Sequence, residues 1–228
     1  MWRCLTTWRC LPSCLLYTSN DTTSLVGKTT DDHIGRFYYG GYPDYFAPNT
    51  EVIVAGGEGS SYQNSFVLRM VKLDGDRGAV TLGKIGVAMT GEVGASGNVS
   101  LTGTTAGDRV GENVIPVLIG SEYGWVIASP NWTNTGYSAS AAGAVTVISG
   151  ATAALGPVSA TNSLVGTHSG DSFGVNDGYG GQLYNRDSHG YFLVANSGWD
   201  GGKGAVTHIN LAAPAVGEVC LLYTSRCV

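Results

Sequence analysis

Between Asn20 and Val219 the chain has no cysteine; all five, Cys4, Cys10, Cys14, Cys220 and Cys227, lie in the two ends. That excludes a cysteine nucleophile from the central span. Charge is also scarce: charged residues make up 13% of the 228 positions, and the net charge is −5. Nucleic-acid binding through a basic stripe is excluded on that balance. No apolar run approaches the roughly 20 residues that a membrane-spanning helix needs. Glycine, by contrast, is abundant at 35 residues. A glycine in a helix interior costs about 1 kcal/mol against alanine, which argues against a helix-rich fold. Many short strands joined by glycine turns fit the composition, and 43% hydrophobic residues suffice for a sizeable core.

The hexapeptide Cys-Leu-Leu-Tyr-Thr-Ser occurs twice, at 14–19 and at 220–225. An identical word at both boundaries of an otherwise cysteine-free chain resembles a translated sequencing adapter. Residues 1–19 and 220–228 are therefore read as non-native and set aside from fold reasoning. A signal peptide is the competing reading of the N-terminus, with Arg3 and Arg9 as its basic region. Pro12, Ser13 and the cysteines interrupt the apolar stretch that reading needs.

Internal repeats organise the rest. Ser24-Leu25-Val26-Gly27 recurs as Ser100-Leu101-Thr102-Gly103 and as Ser163-Leu164-Val165-Gly166. Seven residues after each leucine an aspartate opens Asp-x-apolar-Gly, as Asp32-His33-Ile34-Gly35, Asp108-Arg109-Val110-Gly111 and Asp171-Ser172-Phe173-Gly174. An apolar strand ending in alanine follows, read as Val52-Ile53-Val54-Ala55, Trp125-Val126-Ile127-Ala128 and Phe192-Leu193-Val194-Ala195. Trp132 and Trp199 stand four residues after the second and third alanines, where the first unit has Gly59. Gly-Ala-Val-Thr recurs at 78–81, 143–146 and 204–207, at spacings of 65 and 61 residues. The interval from the alanine to that glycine reads as 23, 15 and 9 residues, which marks a variable loop. Repeat proteins often place binding in such loops.

The three units are assigned to 20–95, 96–160 and 161–219. Their short β-branched and aromatic runs fit strands buried on both faces. The flanking glycines fit turns with positive φ. Asp32, Asp108 and Asp171 fit turn staples whose carboxylates accept nearby backbone N–H groups.

Asp-Ser-Phe-Gly at 171–174, the strand at 191–195 and Gly-Ala-Val-Thr at 204–207 follow the order of an FG-GAP repeat, which the chain resembles. It is most similar to a variant in bacterial surface proteins of the filamentous-haemagglutinin type. The words Asn-Ser-Leu-Val-Gly at 162–166, Ser-Pro-Asn-Trp at 129–132 and Gly-Ala-Val-Thr at 143–146 carry that resemblance, which covers nearly all of 22–219. It implies β-propeller blades of four antiparallel strands, extracellular or bacterial cell-surface placement, and an adhesive or scaffold role. A ring needs four to eight blades. The expected fold is thus all-β, with about three tandem four-stranded antiparallel blades forming an open, partial β-propeller. A β-solenoid or a stacked sandwich is the alternative architecture.

Calcium is the one metal the sequence suggests. FG-GAP-type blades often carry an Asp-x-Asp-x-Asp-Gly loop before the apolar strand, and Asn185-Arg186-Asp187-Ser188-His189-Gly190 holds that place in the third unit. Asn185 and Asp187 supply oxygen donors at alternate positions, while Arg186 and His189 weaken the set. A plain polar turn is the other reading. Catalytic signals are absent from the sequence. His33, His168, His189 and His208 lack metal-ligand spacing, no Gly-x-Ser-x-Gly elbow occurs, and Gly56-Gly57-Glu58-Gly59 lacks the lysine of a phosphate loop.

Tyr38, Tyr39, Tyr42 and Tyr45 crowd the first unit beside glycines. With Tyr62, Trp132 and Tyr137 they are the candidate ligand contacts for a host-surface protein or a glycan; packing of the enlarged first unit is the alternative for its clustered tyrosines, and blade-to-blade packing for Trp132, which shares its repeat position with Trp199. The expected function is a non-enzymatic adhesion or ligand-binding scaffold of a bacterial surface or secreted protein, with neighbouring repeats of the chain as structural partners. The alternatives are a structural spacer, or a fragment of a β-propeller enzyme whose active site is missing.

Overall fold

Apolar runs of four to eight residues, broken by glycines, give short strands and tight turns. A computed structural model describes residues 24–29, 32, 34, 50–54, 65–95, 98–152, 154–178 and 180–219. Their fifteen strands fall into three sets of five. The first set is β1 (Leu25–Val26), β2 (Glu51–Val54), β3 (Ser65–Met70), β4 (Ala79–Lys84) and β5 (Gly91–Glu92). The second is β6 (Val99–Thr102), β7 (Asn113–Ile119), β8 (Glu122–Ser129), β9 (Ala144–Ser149) and β10 (Gly156–Pro157). The third is β11 (Leu164–Val165), β12 (Gly181–Arg186), β13 (Tyr191–Asn196), β14 (Ala205–Asn210) and β15 (Gly217–Glu218).

The sheets do not coincide with these sequence units. Strands two to four of one set form an antiparallel meander, and the first strand of the following set adds antiparallel to it. The fifth strand of that following set then pairs parallel with the first. Two five-stranded sheets result, with orders β10-β6-β4-β3-β2 and β15-β11-β9-β8-β7. A three-stranded sheet, β12-β13-β14, and the parallel pair β1-β5 complete the described strands. The sheets are therefore open and mixed, where the sequence predicts purely antiparallel ones. The parallel member went unread because it is only two residues long.

Sheet faces explain the doubly apolar strands. On β8, side chains alternate with period two: Trp125 and Ile127 join a core shared with Val67, Val80 and Leu101 of the first sheet. Val126 and Ala128 point the other way, into a core shared with Phe192, Val194 and Ile209 of the third. The second sheet is thus covered on both faces. Burying an aliphatic or aromatic side chain of this kind contributes about 1.5–3 kcal/mol, so each unit depends on the next.

The alignment of the first unit needs correction. Ala79 pairs with Met70, as Ala144 pairs with Ser129 and Ala205 with Asn196. The counterpart of the strands at 125–128 and 192–195 is therefore β3, not Val52-Ile53-Val54-Ala55, which belongs to β2. Arg69 stands where the other units have Ala128 and Ala195. Leu73, not Gly59, stands where they have Trp132 and Trp199, and it too is buried, at 2% exposure. The interval before Gly-Ala-Val-Thr becomes 9, 15 and 9 residues, and the insertion lies in the second unit. An arginine in place of an alanine concealed the register. Variation in the first unit lies instead between β2 and β3, which ten residues separate, against two between β7 and β8.

Two four-residue helical turns, α1 (Leu73–Asp76) and α2 (Trp199–Gly202), close the third-to-fourth-strand connections of the first and third units. Both run through the left-handed region: φ is 53° at Asp74 and 66° at Gly75, and 49° at Asp200 and 68° at Gly201. Asp and Gly tolerate that region best. In all three units the N–H that opens Gly-Ala-Val-Thr donates back across this turn, from Gly78 to Leu73, Gly143 to Trp132 and Gly204 to Trp199.

Candidate functional site

The three motif aspartates share one geometry. The carboxylate of Asp108 accepts the N–H groups of Thr104 and Thr105 with one oxygen, at 2.9 and 2.8 Å. Its other oxygen accepts the N–H of Thr133, at 2.9 Å. Asp171 likewise takes the N–H of His168, at 3.3 Å, and that of Asp200, at 2.9 Å. Asp32 takes those of Lys28 and Thr29, at 2.6 and 2.8 Å, and that of Asp74, at 2.6 Å. Each aspartate is buried and ties the loop after Ser-Leu-x-Gly to the residue that follows Leu73, Trp132 or Trp199. Burial of Asp32 opposes its ionisation, but the N–H groups of Asp74, Thr29 and Lys28 and the Thr29 hydroxyl outweigh it and hold the pKa below the ordinary carboxylate value.

Further motif residues join one unit to the next. The Thr81 hydroxyl meets that of Ser100 at 2.8 Å, and Thr146 meets Ser163 at 2.6 Å, both pairs buried. These are the threonine of Gly-Ala-Val-Thr and the serine of the following Ser-Leu-x-Gly. Gly103 and Gly166 donate to the carbonyls of Gly78 and Gly143. A Cβ at Gly166 would fall 2.1 Å from the Ala142 carbonyl oxygen, and one at Gly103 2.2 Å from that of Arg77. Only glycine admits that approach. Arg69 compensates for its misfit by donating to the Gly111 and Glu112 carbonyls, at 2.6 and 2.8 Å, and by pairing with Glu51 at 2.7 Å.

Asn185 and Asp187 also bridge units. The Asp187 carboxylate accepts the Leu118 N–H at 2.9 Å, and the Asn185 amide donates to the Pro116 carbonyl at 3.3 Å. Both partners lie on β7, the edge strand of the second sheet, where the proline is tolerated because an edge N–H needs no ladder partner. Among the described residues no group of three or more His, Cys, Asp or Glu converges on a metal-sized space.

Of the candidate contact residues, Tyr38, Tyr39, Tyr42, Tyr45 and Tyr62 lie outside the described residues. Trp132 is buried, at 4% exposure, and belongs to the core between the first and second sheets. Its indole N–H and those of Trp125 and Trp199 have no acceptor among the described residues. Tyr137 sits in the second unit's insertion and is 52% exposed. The Glu218 carboxylate of the third unit raises its phenol pKa. The insertion is pinned by reciprocal backbone bonds between Asn134 and Ala139 and by the Asn134 amide, which donates to the Gly166 carbonyl at 2.8 Å.

A cleft between the first two sheets, of about 360 Å³, is lined by Ser65, Lys84, Ser121, Glu122, Tyr123, Gly150 and Ala151. It offers one ammonium, from Lys84, one carboxylate, from Glu122, and the hydroxyls of Ser65, Ser121 and Tyr123.

A family model matches residues 72–112, 121–175 and 187–221, more than half of the chain. The chain belongs to the family described as Repeat of unknown function (DUF5650). Its three matched stretches each contain one Gly-Ala-Val-Thr, and the first two run on through the next Ser-Leu-x-Gly and Asp-x-apolar-Gly. The DUF5650 repeat is therefore framed across the junction between sequence units. No curated protein matches the chain.

The DUF5650 units carry one further sequence signal. Gly91-Glu92-Val93, Gly156-Pro157-Val158 and Gly217-Glu218-Val219 each begin 13 residues after the glycine of Gly-Ala-Val-Thr. They form the parallel fifth strands, and all three valines are buried. Their constant offset is the sequence signal that would have found them.

Proposed function

We propose that this DUF5650 array is a non-enzymatic binding or adhesion scaffold of a bacterial surface or secreted protein, its sheets being open propeller-type blades of the FG-GAP kind. The observation that carries the reading is a division of labour. The repeated polar residues are engaged in holding the array together, Asp32, Asp108 and Asp171 by tying two turns within a unit and the Thr–Ser pairs by joining one unit to the next, while the variation falls in the connections. Face-to-face stacking of successive sheets supports the blade reading. The exposed ring of Tyr137, on an insertion pinned at both ends, supports ligand contact, because a rigid aromatic loses little conformational entropy on binding. The ligand is a host-surface protein or a glycan, gripped by several units together.

The test is a glycan array and a panel of host-surface proteins probed with the folded chain. Binding that Tyr137→Ala weakens tenfold or more, with the circular dichroism unchanged, supports the reading. Uniform silence favours a structural spacer, a role that the same joining residues would also serve.

A further inference from the structure

We infer that the outer edge of β14 is an acceptor for the Ser24-Leu25-Val26-Gly27 segment of a second copy of this chain, so that copies associate head to tail. The inference needs no ligand and stands apart from the proposed function.

The chain makes this junction twice within itself, in one register. Val80 lies opposite Leu101 on β4 and β6, and Val145 opposite Leu164 on β9 and β11. Carried to β14, the register sets Ala205 opposite Val26, Val206 opposite Leu25 and Thr207 opposite Ser24. Each half of the junction is present, at opposite ends of the chain. Thr207 supplies the hydroxyl that Thr81 and Thr146 direct at Ser100 and Ser163, and Ser24 supplies the serine. The Gly204 carbonyl corresponds to those of Gly78 and Gly143, which accept the N–H of Gly103 and Gly166. Gly27 is the matching donor, and it lacks the Cβ that would strike the carbonyl of Lys203.

Both halves are unfilled among the described residues. β14 is the edge of its sheet, and β1 pairs only with β5. Exposure agrees: Val80 and Val145 lie in cores covered by the next stacked sheet, whereas their counterpart Val206 has no such cover and is 71% exposed. An unprotected edge flanked by apolar surface is a template for strand addition. The occupant best matched to it is the strand that fills the same edge twice elsewhere. The two surfaces differ, so the contact is heterologous, and association proceeds in steps of one chain until a ring closes or a filament grows.

Sedimentation velocity of the full chain across the micromolar range, in reducing buffer to exclude disulfides from the end cysteines, tests this. The expected result is a series of species that rises with concentration in steps of one chain mass. Val206→Lys should weaken that association at least tenfold while leaving the circular dichroism intact, because Val206 is exposed within a single chain. Val87→Lys, at a site 61% exposed outside the junction, should leave association as in the wild type. A chain that stays monomeric throughout overturns the inference, and that outcome includes closure of the Ser24 strand onto its own β14. So does association untouched by Val206→Lys, or weakened equally by Val87→Lys.

Discussion

Asp108 and Thr133 are 25 residues apart, and the carboxylate of the first accepts the backbone N–H of the second at 2.9 Å. The same bond joins Asp32 to Asp74 and Asp171 to Asp200. Because its other oxygen is held by its own loop, each carboxylate acts as a bridge between two turns that the chain visits far apart. Asp108 is fully buried, so Asp108→Ala would leave three backbone N–H groups without their acceptor. The expected cost is about 3 kcal/mol, read from urea denaturation. A loss under about 1 kcal/mol is incompatible with a bridging role.

Acid should remove part of this support. The folded pKa of Asp32 lies below its ordinary value of 3.8. A carboxyl depressed on folding stabilises fully above its unfolded pKa, and the contribution is lost as pH falls through the lower folded value. The stability gap between wild type and Asp32→Asn should therefore be constant above about pH 5 and shrink below it. Denaturation midpoints measured from pH 7 to pH 2 check this, and a gap that widens on acidification contradicts it.

Gly166→Ala is expected to destabilise by at least about 2 kcal/mol, since the new methyl group would meet a backbone carbonyl that cannot rotate away. Gly156→Ala serves as a comparison. Nothing lies within 4 Å of its Cβ position, but its φ of +79° strains an alanine. The cost there should be smaller, about 1 kcal/mol. Thermal melts of the two variants separate steric contact from backbone strain.

Asp187→Ala removes the acceptor of the Leu118 N–H and should cost about 1.5 kcal/mol. The loss should be equal in calcium and in chelator. A wild-type melting temperature that rises several degrees with calcium, with the rise abolished in Asp187→Ala, would instead make this loop a metal site.

Much of this was legible from residue order. The strands at 125–128 and 192–195 could be read from their β-branched and aromatic content, and the staple role of Asp108 from its fixed distance to Leu101. Arg69 defeated the reading of the first unit, because a pattern that requires a small residue does not anticipate a long side chain that reaches over the neighbouring carbonyls. Leu73 escaped for a related reason: it fills the core position of Trp132 without being a tryptophan. Asn185 and Asp187 have the spacing of an ion-binding loop, yet their partners, Pro116 and Leu118, lie 69 residues away, beyond any local pattern.

The sequence by itself determined the unit: its strands, its turns, and the order in which they recur. These follow from local chemistry, from β-branched runs that favour extended backbone and glycines that permit left-handed turns. Only the tertiary structure decided that a sheet is completed by the first and fifth strands of the following unit. That exchange depends on the pairing of Val80 with Leu101 and of Val145 with Leu164, contacts between residues brought together only when hydrophobic faces stack.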